Sequence, residues 1–363
     1  MQKIKIIQQY VNSGNIGGLK TEYQALINRG TLTEKYEFVP MVLNGCHRGI
    51  SLRDIRFYKH EIQKAKPDIV HIRGAGIESL NAVIAAKMVH HGKILVTVHG
   101  MFSDLVYYSP IKRWLCKTVI ERLIFMLSDG ISCVCKSAEK RSCFDRYRRK
   151  MLPCVYNRMP ARVCLSAERK AEFRNELKLP SGAVIGVYAG RVTKEKGLSY
   201  LVGALKELDA HWPKDFFMLI VGDGEYRNEM ETECSGLSHS ARIYFAGQQN
   251  NVKEYLCASD FFVLPSLHEN LSIAVLEACA VDLPCLVTNV GGNTEMIENG
   301  VNGLVIPPRS ASDISSGIVR MCDKGMRAAL EQSARQLDYS AFSNENVDIQ
   351  LENVYEVLLN RNL

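Results

Sequence analysis

The chain alternates short runs of β-branched and aromatic residues with longer stretches in which apolar residues recur every three to four positions. Short continuous apolar runs signal strands buried on both faces. Their alternation with helical periodicity signals parallel strands joined by crossover helices. The pattern predicts strands in the first half at Lys3–Gln8, Tyr36–Val42, Asp68–Ile72, Ile94–Val98, Gly130–Val134 and Met151–Tyr156. In the second half it predicts Val184–Tyr188, Phe216–Val221, Arg242–Phe245, Phe261–Pro265, Cys285–Asn289 and Leu304–Ile306. The same plan thus occurs twice, without sequence repetition, and the charged segment from Arg158 to Pro180 is expected as the hinge. At 363 residues the chain exceeds the size to which one core keeps growing. The expected domains are 1–165 and 166–340, with 341–363 a C-terminal helix packing back toward the first. The fold class is α/β, two Rossmann-like doubly wound domains facing each other across a cleft.

One stretch breaks its own pattern. From Ser272 the sequence "SIAVLEACA" reads as a helix apolar on nearly every side, yet Glu277 sits in its middle, and a buried unpaired carboxylate costs several kcal/mol. Other unusual residues fall just beyond predicted strands, where open α/β sheets bind their ligands. Gly14, Gly17 and Gly18 follow the first strand, and their missing side chains would let backbone amides approach a phosphate; a plain tight turn explains them equally, and the spacing is neither a Rossmann fingerprint nor a P-loop. In "GRVTKEKG", Arg191 and Lys196 lie between Gly190 and Gly197, where two cations can grip a pyrophosphate; the alternative is a solvated basic loop, which is the expectation for Lys194 and Glu195. His99 ends another strand, either as a structural residue or as a donor to a sugar hydroxyl.

Composition narrows the class. Hydrophobic content of 47% with 23% charged residues describes an ordinary globular protein, and no apolar run approaches the ~18 to 20 residues of a membrane span. The twelve cysteines are scattered, Cys133, Cys135 and Cys143 lack zinc-ligand spacing, and no leader precedes the first strand, so reduced thiols in a cytoplasmic protein without a metal site are expected. Charge changes the picture more. Residues 1–160 hold 26 Lys and Arg against 12 Asp and Glu, a net of +14, while the remainder is at −8. Such asymmetry points one half toward a polyanion or an anionic membrane surface. Nucleic acid is not expected, because no recognised motif accompanies the charge. In "SPIKRWLCKTVIERLIFMLSDG" the apolar Cys116, Ile120, Leu123, Ile124 and Leu127 share a helical face, with Lys112, Arg113, Trp114, Lys117 and Arg122 elsewhere. A basic amphipathic helix with an aromatic residue can lie on an anionic bilayer, and a crossover helix packing on its own sheet explains the apolar face equally.

Together these residues resemble the retaining GT-B glycosyltransferases of family four, which include sucrose-phosphate synthases and bacterial polysaccharide glycosyltransferases. The likeness covers almost the whole chain. Its most specific part, "FFVLPSLHENLSIAVLEACAVDLPCLVTNVGGNTEMIENGVNGLV", is similar to the family's signature of two glutamates separated by seven residues and followed by a Gly-Gly-x-x-Glu turn, and "YAGRVTKEKG" and "VGDGE" match in order and spacing. The resemblance implies that Arg191 and Lys196 clamp the donor diphosphate, Glu277 contacts the ribose, Glu269 a hydroxyl of the transferred sugar, and His99 lies near that sugar's C6. It implies donor contacts at Gly17, Gly18, Gly190, Gly222, Gly247, Asn270, Leu271 and Ser272. Where the family often carries Glu-Gly-Phe-Gly, this chain has Glu269-Asn270-Leu271-Ser272, which bears on the identity of the sugar. The implied reaction moves a hexose or hexosamine from a nucleoside-diphosphate sugar, UDP- or GDP-linked, to a hydroxyl of a lipid-linked or oligosaccharide acceptor, with retention, without metal or other cofactor, in polysaccharide, O-antigen or capsule biosynthesis at the inner face of the cytoplasmic membrane. The alternatives are a sugar-nucleotide epimerase of the same fold and a non-catalytic sugar-nucleotide-binding protein.

Overall fold

The computed structural model describes residues 3–12, 23, 26–27, 30–45, 49–104, 108–162 and 164–361. The chain divides into two compact units, Met1–Arg158 with Ser340–Leu363, and Met159–Tyr339. Each is built on its own parallel sheet.

In the first unit, β1 (Ile4–Asn12), β2 (Tyr36–Asn44), β3 (Ile69–Ala75), β4 (Lys93–Met101) and β5 (Gly130–Cys133) assemble in the order β2-β1-β3-β4-β5. The order reverses between β1 and β3. In the second unit, β6 (Val184–Ala189), β7 (Phe216–Val221), β8 (Ile243–Gly247), β9 (Phe261–Leu264), β10 (Cys285–Thr288) and β11 (Gly303–Ile306) assemble as β11-β10-β9-β6-β7-β8. Here the reversal lies between β6 and β9. Every strand pair is parallel. The unbroken apolar runs have their expected consequence, since β5, β9 and β10 are buried throughout.

Two expectations need correction. The predicted strand Met151–Tyr156 is reduced to a single parallel bridge, Ile131 to Met151. Its backbone runs beside β5, with Leu152 N donating to Ile131 O at 2.8 Å and Val155 N to Cys133 O at 2.9 Å, but Pro153 between them has no N–H and the ladder stops. The segment expected as a hinge is, from Met159 on, part of the second unit. It forms the helix Ala167–Glu176, whose Arg169 pairs with Glu254 at 2.7 Å and whose Arg174 pairs with Asp260 at 2.9 Å.

The last helix, Asn344–Asn360, belongs to the first unit. Ser343 caps it by accepting from Asn346 N, and its apolar face, Val347, Leu351, Val354, Tyr355 and Leu358, is buried. Polar contacts fix its register. Tyr355 Oη accepts from Gln8 Nε2 at 2.8 Å and lies 3.0 Å from His71 Nδ1, whose Nε2 is 2.7 Å from Thr97 Oγ1. Arg158 meets Asp348 in a buried ion pair. Lys35 and Glu352, at 2.8 Å, pair near the surface of the same helix. Removing one partner of a buried pair typically costs about 3 to 5 kcal/mol because it strands a charge, whereas an exposed pair contributes under about 1 kcal/mol. Asp348→Ala is therefore expected to destabilise the first unit several-fold more than Glu352→Ala, read from urea unfolding midpoints. Equal losses would show that the buried pair has no special place in holding this helix.

Candidate functional site

In the second unit the loops that leave the carboxyl ends of β6, β9 and β10 interlock backbone to backbone. The loop after β6 ends in a 3-10 turn, Lys194–Lys196, and Gly197 in the left-handed region (φ +70°). A Cβ at Gly197 would lie 1.8 Å from Pro265 O, so only glycine lets these loops approach. Leu267 N donates to Glu195 O at 3.0 Å, Thr288 Oγ1 to Ser266 O at 2.6 Å, and Gly292 N to Asn270 O at 2.5 Å. On the other side, Gly222 (φ +132°) would place a Cβ 1.8 Å from Gly190 O, and Gly222 N donates to Gly247 O at 2.8 Å. The three glycines Gly190, Gly222 and Gly247 therefore lie together along the ends of β6, β7 and β8.

The side chains on this frame are few and charged. Lys196 Nζ sits 2.6 Å from Glu269 Oε1, which also accepts from Ser266 Oγ at 2.7 Å, and both charged groups are largely buried. The sequence reading assigned Lys196 to the diphosphate and Glu269 to the sugar; the structure couples them directly. Arg191 projects outward, 70% exposed, with Glu195 at a loose 3.8 Å. Glu195 is not the solvated residue expected of it, for it is buried and its carbonyl anchors the loop after β9, whereas Lys194 is exposed and pairs with Glu229.

The helix Ile273–Cys279 answers part of the puzzle set by Glu277. It is not apolar all round: Ile273 is exposed, Ala274 and Glu277 are half-buried, and Val275, Leu276, Ala278 and Cys279 face the core. Ser272 is the N-cap, accepting from Val275 N, and Leu271 is buried beneath. Among the described residues Glu277 has no hydrogen-bond or ion-pair partner, and burial alone raises its carboxyl above the usual range. Asn270 Nδ2 and Thr193 Oγ1 are likewise buried without a partner. Unsatisfied buried polar atoms are rare in native proteins, and Asn270 and Thr193 lie on the interlocked loops themselves.

In the first unit His99 lies in β4, two residues before its end, and its Nε2 is covered and without a hydrogen bond among the described residues. It lines a small cavity with His71, Arg73, Thr97 and Arg158. Burial first, then the Arg73 charge, lowers the imidazole to about 3. Arg73 escaped the sequence reading, although an arginine inside the apolar run "DIVHIRGAG" is a visible signal. It is buried, with Nε on Gln8 Oε1 at 3.2 Å. Gly14, Gly17 and Gly18 lie outside the described residues. The basic segment is a helix over Pro110–Leu115 that widens to a π-turn at Cys116–Ile120 and continues as Glu121–Leu127. Its expected apolar face turns inward at Cys116 and Ile124, while Lys112, Arg113, Trp114 and Lys117 are exposed together with Ile111, Leu115 and Val119.

The comparisons with known proteins fit this arrangement. Residues 169–337 match the model described as Glycosyl transferases group 1, and residues 29–191 match Glycosyltransferase Family 4. Between them the two glycosyltransferase models span residues 29–337, and the fold is that of the GT-B glycosyltransferases. An uncharacterized glycosyltransferase of Methanocaldococcus jannaschii is 32% identical over 54% of this chain and 51% of its own length, so the chain spans about half of that relative. A galactosyltransferase of Escherichia coli, named for transfer from UDP-Gal to α-D-GlcNAc-diphosphoundecaprenol, is 27% identical over 78% of this chain and 73% of that relative. In fold, the Anabaena protein HepE, crystallised with UDP-glucose, superposes with a TM-score of 0.79 at 16% identity over 98% of this chain and all of that one. Within this GT-B fold the interlocked loops occupy the switch point of the second sheet, between β6 and β9, where open α/β folds bind nucleotides.

His99 supplies a prediction that does not depend on substrate. With its folded pKa held far below the ~6.5 of an unfolded chain, the ring is neutral when folded, and this burial subtracts stability only as pH falls below about 6.5, where the unfolded state takes up the proton. The His99 ring resonances are expected to stay flat from pH 8 to 5. Arg73→Met should raise the midpoint without reaching 6.5, because burial is the larger cause. A wild-type midpoint near 6.5 would contradict the buried, neutral ring.

Proposed function

We propose that this glycosyltransferase moves a hexose or hexosamine from a UDP- or GDP-linked donor to a hydroxyl of a lipid-linked glycan, with retention of configuration and without a metal, in the building of a surface polysaccharide. The observation that carries the donor assignment is the carboxylate of Glu277, without a partner among the described residues, in the helix that follows the loop after β9, whose backbone is locked to the loop carrying Arg191 and Lys196. A carboxylate that accepts from nothing in the free protein can accept from both ribose hydroxyls, and the cations meet the diphosphate. Support for the donor class comes from HepE, crystallised with UDP-glucose, and for the acceptor class from the E. coli relative named for a diphosphoundecaprenol-linked sugar.

The chemistry follows from what these residues can do. As the bond from the sugar's anomeric carbon to the diphosphate breaks, negative charge grows on the leaving oxygen, and Arg191 and Lys196 stabilise it. Glu269 is tied to Lys196 and Ser266, which makes it a poor nucleophile and suits it to orienting a sugar hydroxyl. We therefore favour attack by the acceptor on the face the leaving group departs from, the acceptor's proton passing to the departing diphosphate. His99, neutral, is suited to hydrogen-bond a sugar hydroxyl. Loss of one preorganised contact to a developing charge costs roughly 3 to 4 kcal/mol, about a hundred- to a thousand-fold in rate. Glu277→Gln and Arg191→Ala should each lower turnover at least ~100-fold with unchanged circular dichroism and melting temperature. Near-normal transfer by either folded variant removes the donor assignment. Turnover should also survive excess EDTA; loss restored by Mg²⁺ or Mn²⁺ would overturn the metal-free reading.

The basic helix is proposed to rest on an anionic membrane surface. No helix among the described residues is long and apolar enough to cross a membrane. Exposed Ile111, Trp114 and Leu115 flanked by Lys112, Arg113 and Lys117 form an interfacial face, and each cation near anionic lipid contributes about 1 kcal/mol. The protein is expected to co-sediment with phosphatidylglycerol vesicles at low salt and to be released at high salt. Charge reversal at Lys112, Arg113 and Lys117 should weaken this while leaving UDP-sugar binding intact. Indifference of the wild type to such vesicles would leave the helix a packing element only.

A further inference from the structure

Behind the exposed face of that helix lies a concave feature that a flat membrane contact does not use. Two adjoining cavities of about 340 and 330 Å³ lie between the helix and the 3-10 turns of Ser142–Lys150, sharing Lys117, Ser142 and Cys143. Each is of the size of a small-molecule site. The first also touches Met101 and Ser103, so it opens at the carboxyl end of β4, two residues past His99.

The charges lining this groove are unbalanced. Lys117 and Arg122 come from the helix and Arg146 from the opposite wall, and among the described residues none of the three has an ion pair. Arg113 adds a fourth cation, its Nε donating to Ser103 O at 3.0 Å and, among the described residues, without an ion pair. The nearby acids are already engaged. Asp104 holds Arg141 through two hydrogen bonds, and Glu121, buried, gives both oxygens to Ser103 N and Oγ at 2.8 and 2.9 Å. Like charges facing each other across a groove repel, and a bound polyanion would relieve them. Trp114 lines the same cavity, and Ile111, Leu115 and Val119 stand exposed on the same helix. A site with several free cations beside exposed apolar side chains suits an amphiphile with a compact, highly charged head.

We infer that this groove binds the diphosphate of a polyprenyl-diphosphate-linked acceptor, the cations holding the diphosphate and the Ile111, Trp114, Leu115 and Val119 face meeting the first isoprene units. The inference rests on the proposed lipid-linked acceptor and assigns it a place in the first unit. It makes Lys117 and Arg146 acceptor-binding residues, separate from the donor residues of the second unit.

The chain has two tryptophans, and Trp212 is buried and stacked on His239, so a change in emission on ligand binding in the groove reports Trp114. Titration with farnesyl diphosphate below its micelle concentration should shift the emission to the blue and saturate. Inorganic pyrophosphate should bind at least ten-fold more weakly, and farnesol should give no saturable signal. Lys117→Ala with Arg146→Ala should weaken farnesyl diphosphate at least ten-fold while UDP binding by calorimetry stays within two-fold. The inference is overturned if farnesyl diphosphate leaves the emission unchanged, if farnesol binds as well, or if the double variant binds like wild type. It is also overturned if only the vesicles shift the emission, since the charge then serves the headgroups. UDP or GDP binding without farnesyl diphosphate binding would sink this inference alone, whereas failure to bind either nucleotide would sink the donor reading.

Discussion

The second unit depends on the close approach of two loops, the one after β6 and the one after β9. Gly197 lets the first loop's backbone touch Pro265 O, and Glu195 O accepts from Leu267 N. Once these backbones are in register, Lys196 and Glu269 have no choice but to meet, and at 2.6 Å in a largely buried setting each satisfies the charge of the other. The pair is weak evidence for stability, since burying two ions costs about what their attraction returns. What it supplies is position: the carboxylate is pinned by Lys196 and Ser266, and the ammonium by Glu269, so neither needs to reorganise when a ligand arrives. Arg191, on the same loop, is left outside this lock and exposed.

How much of this was legible in the sequence follows from range of interaction. Strands were readable because parallel strands buried on both faces must be apolar along their length, and β7 begins and ends where the pattern placed it. Met151–Tyr156 failed because its apolar pattern is that of a strand while Pro153 removes a donor the ladder needs. Charged residues at strand ends were legible as a set, but their pairings were not. Nothing local tells Lys196 that it will meet Glu269, seventy-three positions away, and nothing local marks Glu195 as buried and Lys194 as exposed. For Glu277 the oddity was readable and the surroundings were not, because a seven-residue helix packed on one side need not be apolar on the other.

The first unit handles charge in the opposite way. Its interior holds Arg73, Arg158, Asp348 and His71, with the half-buried His99 ring beside them, and desolvation holds both imidazoles down. The C-terminal helix closes this interior through Tyr355 and Asp348. A buried cation beside a histidine keeps the ring unprotonated, which preserves a lone pair on one nitrogen and an N–H on the other. That is the form able both to donate to and accept from a sugar hydroxyl, and it is held without regard to ordinary changes of pH. Arg73 therefore acts on His99 through its field, as a positioning residue in the electrostatic sense.

Glu277 is the remaining imbalance. Its carboxyl is raised by burial alone, so among the described residues no charge or donor is set to stabilise its ionised form. A structural carboxylate in such a place would have gained a partner at little cost, as Glu269 did from Lys196, and Asn270 Nδ2 and Thr193 Oγ1 are left open in the same neighbourhood. Burial without a partner is a penalty that a bound donor, as proposed, would relieve by bringing hydrogen-bond donors to Glu277 and acceptors to Asn270 Nδ2. A nucleoside diphosphate would do both, with ribose hydroxyls that donate and phosphate oxygens that accept. The same penalty gives selectivity, because an analogue lacking a ribose hydroxyl would leave the carboxylate as unsatisfied as it found it.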